Sequence, residues 1–193
     1  MPPASLILVI IPGLGSENVP AVIPLWCEEL RGRALNAGGA GIEVFIKNYT
    51  DASLPEWLAA MQADAPGAKL VIVGHSDGGD DLAWMANHAK KMNPPIHINL
   101  AVFLDRVNDI IRHGIITTIP ASTVDRAVFI FQTADPIIHA NHLEFDASTP
   151  EKTVERYGMA WFGQPGANHE AVAESVPVQR WIVAQLIDLV TED

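Results

Sequence analysis

Short runs that are apolar at consecutive positions alternate with segments of helical periodicity, and this alternation constrains the fold more than any other feature. The runs are Leu6 to Ile11, Ile42 to Ile46, Leu70 to Val73, Ile98 to Leu104 and Ala127 to Phe131. Each is short, and most would be apolar on both faces if extended, as expected for strands of a parallel sheet covered on each side. A sixth candidate, Val154 to Phe162, is interrupted by charged and small residues. Between the runs, Leu54, Trp57, Leu58 and Met61 recur at helical spacing, and Ser53 with Glu56 has the form of a capping box. Leu82, Met85, Ala86 and Ala89 repeat the helical pattern. Val178, Trp181, Ile182, Leu186 and Leu189 form a last apolar stripe, with Pro177 suited to a helix start. Strands alternating with helices predict an α/β fold with a doubly wound, mainly parallel sheet flanked by helices. Such sheets place their chemistry at the carboxyl ends of the strands.

The third apolar run leads into Gly74-His75-Ser76-Asp77-Gly78-Gly79, and helical periodicity follows at once. This G-x-S-x-G pattern is weak alone but gains weight from lying between a strand and a helix. A tight strand-to-helix turn holds the serine in a strained backbone, and side chains at the flanking glycines would collide with neighbouring chain. The following helix directs free N–H groups and its positive dipole end toward the serine. No G-x-x-x-x-G-K-[ST] sequence is present, so a phosphate-binding loop of that type is excluded. Ser76 is therefore the expected nucleophile. His75 is expected to pack beside the site rather than act as the base.

Composition narrows the partners. The 193 residues suit a single domain over 1–193, with no internal repeat or linker. A formal net charge of −11 argues against nucleic acid and anionic lipid, which would be repelled. No run approaches the roughly 20 apolar residues that span a bilayer. The N-terminal segment lacks a basic region before its apolar run, so no signal peptide is read there. With one cysteine, Cys27, no internal disulfide forms, which favours a cytoplasmic setting while leaving a processed secreted form open. Cys27 shares a helical face with Ile23, Trp26 and Leu30, and is expected in the core. Oligomeric state is left open.

Taken together, these residues resemble the α/β-hydrolase superfamily, in particular its small lipase-like and esterase-like members, over nearly the whole chain. The resemblance implies a minimal version of that fold without a large cap, starting at the strand that usually comes third. It also implies a chain order of nucleophile, acid, then base. Among seven histidines, the late His169, in the loop Gly166 to Glu170, is the expected base. Asp135, at the end of the fifth strand, is preferred as the acid that orients it; Asp105, at the end of the fourth, is the alternative. The oxyanion donors are expected to be the backbone N–H of Asp77 and that of Leu14, in the turn Pro12-Gly13-Leu14-Gly15-Ser16. This turn departs from the family's usual His-Gly.

The expected activity is cleavage of a carboxylic ester or thioester through an acyl-enzyme, without cofactor or metal. The partner is a small-molecule or acyl substrate. Arg106 to Arg126, where cap domains usually interrupt the fold, has room for only a short helix. Ile110, Ile111, Ile115 and Ile116 within it are candidates for an acyl-binding wall, with core packing the commoner role for such residues. Asp135, His139, His142, Glu144 and Asp146 crowd one segment, but match no strong zinc pattern. The competing non-enzymatic reading is a catalytically degenerate hydrolase fold that serves as a binding module.

Overall fold

The computed structural model describes residues 5–13, 23–38, 41–48, 53–93, 95–107, 113–134 and 143–191. Eight strands occur among them: β1 (Leu6–Ile11), β2 (Ile42–Ile46), β3 (Lys69–His75), β4 (Ile98–Leu104), β5 (Thr118–Ile119), β6 (Val124–Phe131), β7 (Glu144–Phe145) and β8 (Glu155–Gly158). Five helices accompany them: α1 (Leu25–Gly38), α2 (Leu54–Asp64), α3 (Asp77–Ala89), α4 (His169–Glu174) and α5 (Val176–Thr191). Six strands form one sheet in the order β2-β1-β3-β4-β6-β8, and every pairing in it is parallel. The short β5 and β7 pair separately, also in parallel.

The apolar runs become strands because both of their faces are covered. Along β1, alternate side chains point to opposite faces. Ile7, Val9 and Ile11 pack with Leu54 and Leu58 of α2 and with Leu82, Met85 and Ala86 of α3. Leu6, Leu8 and Ile10 pack with Trp26 and Leu30 of α1 and with Ile182 and Leu186 of α5. All six β1 side chains are fully buried, and each such burial contributes about 1.5–3 kcal/mol. Cys27 lies in the second cluster, where burial and the neighbouring Glu28 push its thiol well above the ordinary range. It is a core residue, although Ile23, expected on the same face, is exposed.

Two local expectations are corrected. The run Val154 to Phe162 yields a strand only as far as Gly158; Met159–Phe162 then forms a 3-10 turn that ends at Gly163 with φ 76°. Ser53 does not cap α2 through its side chain, despite the capping-box spacing; Trp57 N–H donates to the Ser53 carbonyl at 3.0 Å. Between Arg106 and Arg126, the described residues supply β5, and the rest of the segment where a short helix was expected, residues 108–112, lies outside them. Ile115 is 69% exposed, Ile116 packs against the core, and Ile110 and Ile111 lie outside the described residues. No helix among the described residues is long and apolar enough to cross a membrane.

The chain runs from β1 out to β2, then crosses back to β3 on β1's other side. This reversal opens a crevice at the carboxyl ends of β1 and β3, the place where open α/β sheets hold their ligands. The helix that follows β3 is tied to the end of the next strand by a buried ion pair. Arg106, just after β4, donates through Nη2 to Asp80 Oδ1 in α3, and both side chains are inaccessible to solvent. The same nitrogen donates to the Ile116 carbonyl at 2.9 Å. Burial lowers the guanidinium's pKa, and Asp80 opposes that shift. Removing one partner of such a pair strands the other charge, at a cost of about 3–5 kcal/mol. Arg106→Met is therefore expected to cost about that much in urea unfolding, and adding Asp80→Leu to recover most of the loss. A loss below about 1 kcal/mol for Arg106→Met would show that the pair does not anchor α3.

Candidate active site

Ser76 occupies the turn between β3 and α3, with φ 55° and ψ −125°. A non-glycine residue at positive φ is strained by about 1–3 kcal/mol, so its surroundings must hold it there. They do so through the backbone. Ser76 N–H donates to the Leu104 carbonyl at 3.0 Å, and the Ser76 carbonyl accepts from Gly79 N–H at 3.0 Å and Val107 N–H at 3.2 Å. The two motif glycines are required by contact. A Cβ at Gly74 would lie 2.8 Å from the Gly78 carbonyl carbon, and one at Gly78 would lie 2.7 Å from the Pro12 oxygen.

His169 is the first residue of α4, not part of a loop as expected. Asn168 caps this helix, its Oδ1 accepting from Ala171 N–H at 3.0 Å. Asn before an acidic first turn is an N-cap signal that the sequence does carry. From this position His169 Nε2 lies 2.8 Å from Ser76 Oγ, across 93 residues of chain. His169 Nδ1 lies 2.7 Å from Asp105 Oδ2. The carboxylate can only accept, so Nδ1 carries the proton and the neutral ring presents Nε2 as an acceptor to the hydroxyl. An imidazole held in this tautomer is able to take the proton of an attacking hydroxyl.

Asp105 follows β4 directly and also has positive φ, 42°. Its side chain is fully buried, and Oδ1 accepts from Gln132 N–H at 3.3 Å. The contact with the imidazole thus goes to Asp105, ranked second in the sequence, while the preferred Asp135 lies outside the described residues. Asp77 is buried at the first turn of α3, immediately after Ser76. Leu14 lies outside the described residues. Its neighbour Gly13 packs directly on the serine: a Cβ there would lie 2.5 Å from Ser76 Cβ.

His75 turns out to brace His169. Its Nε2 donates to the His169 carbonyl at 3.1 Å, and the two rings lie 4.8 Å apart. Trp26 meets the His75 ring edge-on at 5.8 Å. Burial first, and the charge of His169 second, lower the His75 pKa to about 4. It is therefore neutral near pH 7.

No group of three or more His, Cys, Asp or Glu residues among the described residues is arranged to hold an ion. Glu144 pairs with Arg156 and Asp146 accepts from Ser148, while His139 and His142 lie outside the described residues.

No protein-family model matches the chain, and no curated protein matches it in sequence. Among solved structures, human thioesterase 2 aligns with a TM-score of 0.45 at 8% identity, over 97% of this chain and 96% of that one. A cutinase-like protein from Cryptococcus sp. aligns with a TM-score of 0.55 at 10% identity, over 97% of both chains. At that identity the likeness is one of architecture: the chain has an α/β-hydrolase-like fold.

Proposed function

We propose that this protein is a serine hydrolase that cleaves a carboxylic ester, or a thioester, through an acyl-enzyme on Ser76. One observation carries the reading: three side chains distant in sequence make a continuous hydrogen-bonded relay from Ser76 Oγ through His169 to Asp105. A serine hydroxyl is a weak nucleophile at neutral pH, and this relay supplies its base. Ser76 Oγ attacks the carbonyl carbon while His169 Nε2 takes the hydroxyl proton. Asp105 keeps the ring in register and stabilises the imidazolium. The proton then passes to the leaving oxygen or sulfur. Water, deprotonated by the same nitrogen, attacks the acyl-enzyme and releases the acid.

The negative oxygen of the tetrahedral intermediate needs fixed donors. Asp77 N–H is assigned one role, since it opens the helix that begins directly after the nucleophile. The turn after β1, with Leu14 N–H as the donor, is assigned the other; the contact of Gly13 with Ser76 supports placing that turn beside the reacting carbon. Asp105 is taken as the acid in preference to Asp135, because the only proton on His169 Nδ1 is engaged by Asp105. The competing reading, a degenerate fold that only binds, lacks a reason to keep Ser76 at a strained φ against a correctly oriented imidazole.

A fluorophosphonate probe is expected to label the wild-type protein and to leave Ser76→Ala unlabelled; an unlabelled wild type would favour the binding module. With p-nitrophenyl butyrate as substrate, Asp105→Asn is expected to lose about 10⁴-fold in kcat by releasing the wrong tautomer of His169. Asparagine tolerates positive φ as aspartate does, so the variant should still fold. Asp135→Asn is expected to stay within about threefold of wild type, and a loss comparable to that of Asp105→Asn would move the acid to position 135.

A further inference from the structure

A cleft of about 340 Å³ opens beside the serine, between the end of β1 and helix α4. Gly13, Leu25, Trp26, His75, Glu170 and Glu174 line it. Two of these residues touch the relay directly: Gly13 packs on Ser76, and His75 donates to the His169 carbonyl. The chemistry of the walls is one-sided. Glu170 and Glu174 stand four residues apart on α4, so their side chains share one face of the helix. Among the described residues neither carboxylate has a cationic partner, and like charges at this spacing repel.

His75 adds a third acceptor from deeper in the cleft. It is only 8% exposed, and its Nε2 is committed as a donor to a carbonyl. A neutral imidazole that donates through Nε2 has an unprotonated Nδ1. No hydrogen-bond donor among the described residues reaches that Nδ1. The remaining side chains are Pro24, the exposed Leu25 and the accessible edge of the mostly buried Trp26. The named wall thus combines a buried acceptor, two carboxylates and an indole, without a side chain that carries a positive charge. Its complement is a cation that bears an N–H and small alkyl groups.

We propose that this cleft is a specificity subsite for a protonated amine, so that the preferred substrates are esters carrying an alkylammonium group near the scissile carbonyl. The inference rests on the hydrolase reading of Ser76 and adds the substrate class to it. Glu170 and Glu174 attract the charge, His75 Nδ1 accepts the ammonium N–H, and Trp26 covers the alkyl groups. Placed beside His169, the subsite holds one end of the substrate while the carbonyl lies at Ser76 Oγ.

The test compares matched pairs of butyrate esters: 2-(dimethylamino)ethyl against 3-methylbutyl, and 4-(dimethylamino)butyl against 5-methylhexyl. Within each pair, shape is nearly constant and only the charge and N–H change. Wild-type kcat/KM is expected to favour the ammonium member of at least one pair by about tenfold, the combined effect of exposed carboxylates and an aromatic face. The ratio should fall toward one in Glu170→Gln/Glu174→Gln and in high salt, which screens exposed charges. Binding of the same esters to Ser76→Ala, measured by calorimetry, should show the same preference without turnover. Equal treatment of the charged and neutral esters in both measurements, or a preference that survives the double substitution, overturns the subsite. If wild type hydrolyses none of the esters while Ser76→Ala still prefers the ammonium members, the subsite stands and the hydrolase reading fails.

Discussion

The site depends on how closely two stretches of backbone pass each other. The first turn of α3 lies against the carbonyl oxygens of Ile11 and Pro12, at a separation that leaves no room for a Cβ on Gly78. Gly74 meets the backbone of Gly78 and Gly79 in the same way. These contacts let the helix begin directly over the end of the sheet. They place its first N–H groups beside Ser76 and bring Gly13 against the same side chain. A methyl group at either glycine would require the helix to move outward, and the hydrogen bonds that hold Ser76 at positive φ run through that helix turn and the end of β4. The strain at the serine is therefore sustained by packing some residues away, as strained backbone must be.

Charge is distributed with the same economy at the end of β4. Asp105 and Arg106 are consecutive, opposite in sign and both fully buried. Each is matched by its own partner: Asp105 by His169 at the start of α4, and Arg106 by Asp80 in α3. These two helices pack on opposite faces of the sheet. The dipeptide thus joins both layers to one strand end, and the carboxylate is supported by hydrogen bonds from His169 and from the Gln132 backbone instead of by its neighbouring cation. A direct Asp105–Arg106 pair would leave the imidazole without an orienting acceptor.

Much of the architecture was legible in the sequence because a parallel sheet writes itself as apolar runs. The limits of β1, β2 and β4 follow those runs residue for residue, and β3 and β6 extend slightly beyond them. The reach of β8 was less visible because it is a sheet edge with only partial burial, so Tyr157 and Arg156 need not be replaced by apolar residues. Ser76 and His169, singled out from local motif and position, lie within hydrogen-bond distance of each other. Which carboxylate meets the ring was not legible, because Asp105 and Asp135 each follow an apolar run and spacing alone does not distinguish them. Asp105 reaches the ring through a positive φ and a hydrogen bond across 64 residues, and neither leaves a mark on neighbouring residues. The Arg106–Asp80 pair was hidden for the same reason: its partners are 26 residues apart and adjacent only after α3 has docked.

His75 shows how a residue outside the relay can determine what the relay does. Two imidazole rings 4.8 Å apart would compete for one proton if their surroundings were alike. They are not alike. His75 is buried against Trp26, and charging it would place a second cation beside an imidazolium at His169, so its pKa falls to about 4. Of the two rings, it is His169 whose other nitrogen has a carboxylate placed to stabilise a positive charge. The same neutrality matters on the outer side of the ring. A charged His75 would place a positive group in a cleft whose other polar side chains, Glu170 and Glu174, are acidic; the neutral ring instead contributes a lone pair. The burial that keeps His75 neutral therefore also leaves the cleft beside Ser76 with acidic but no basic side chains among its named lining residues, so the proposed base and the proposed cationic substrate group rest on the same environment.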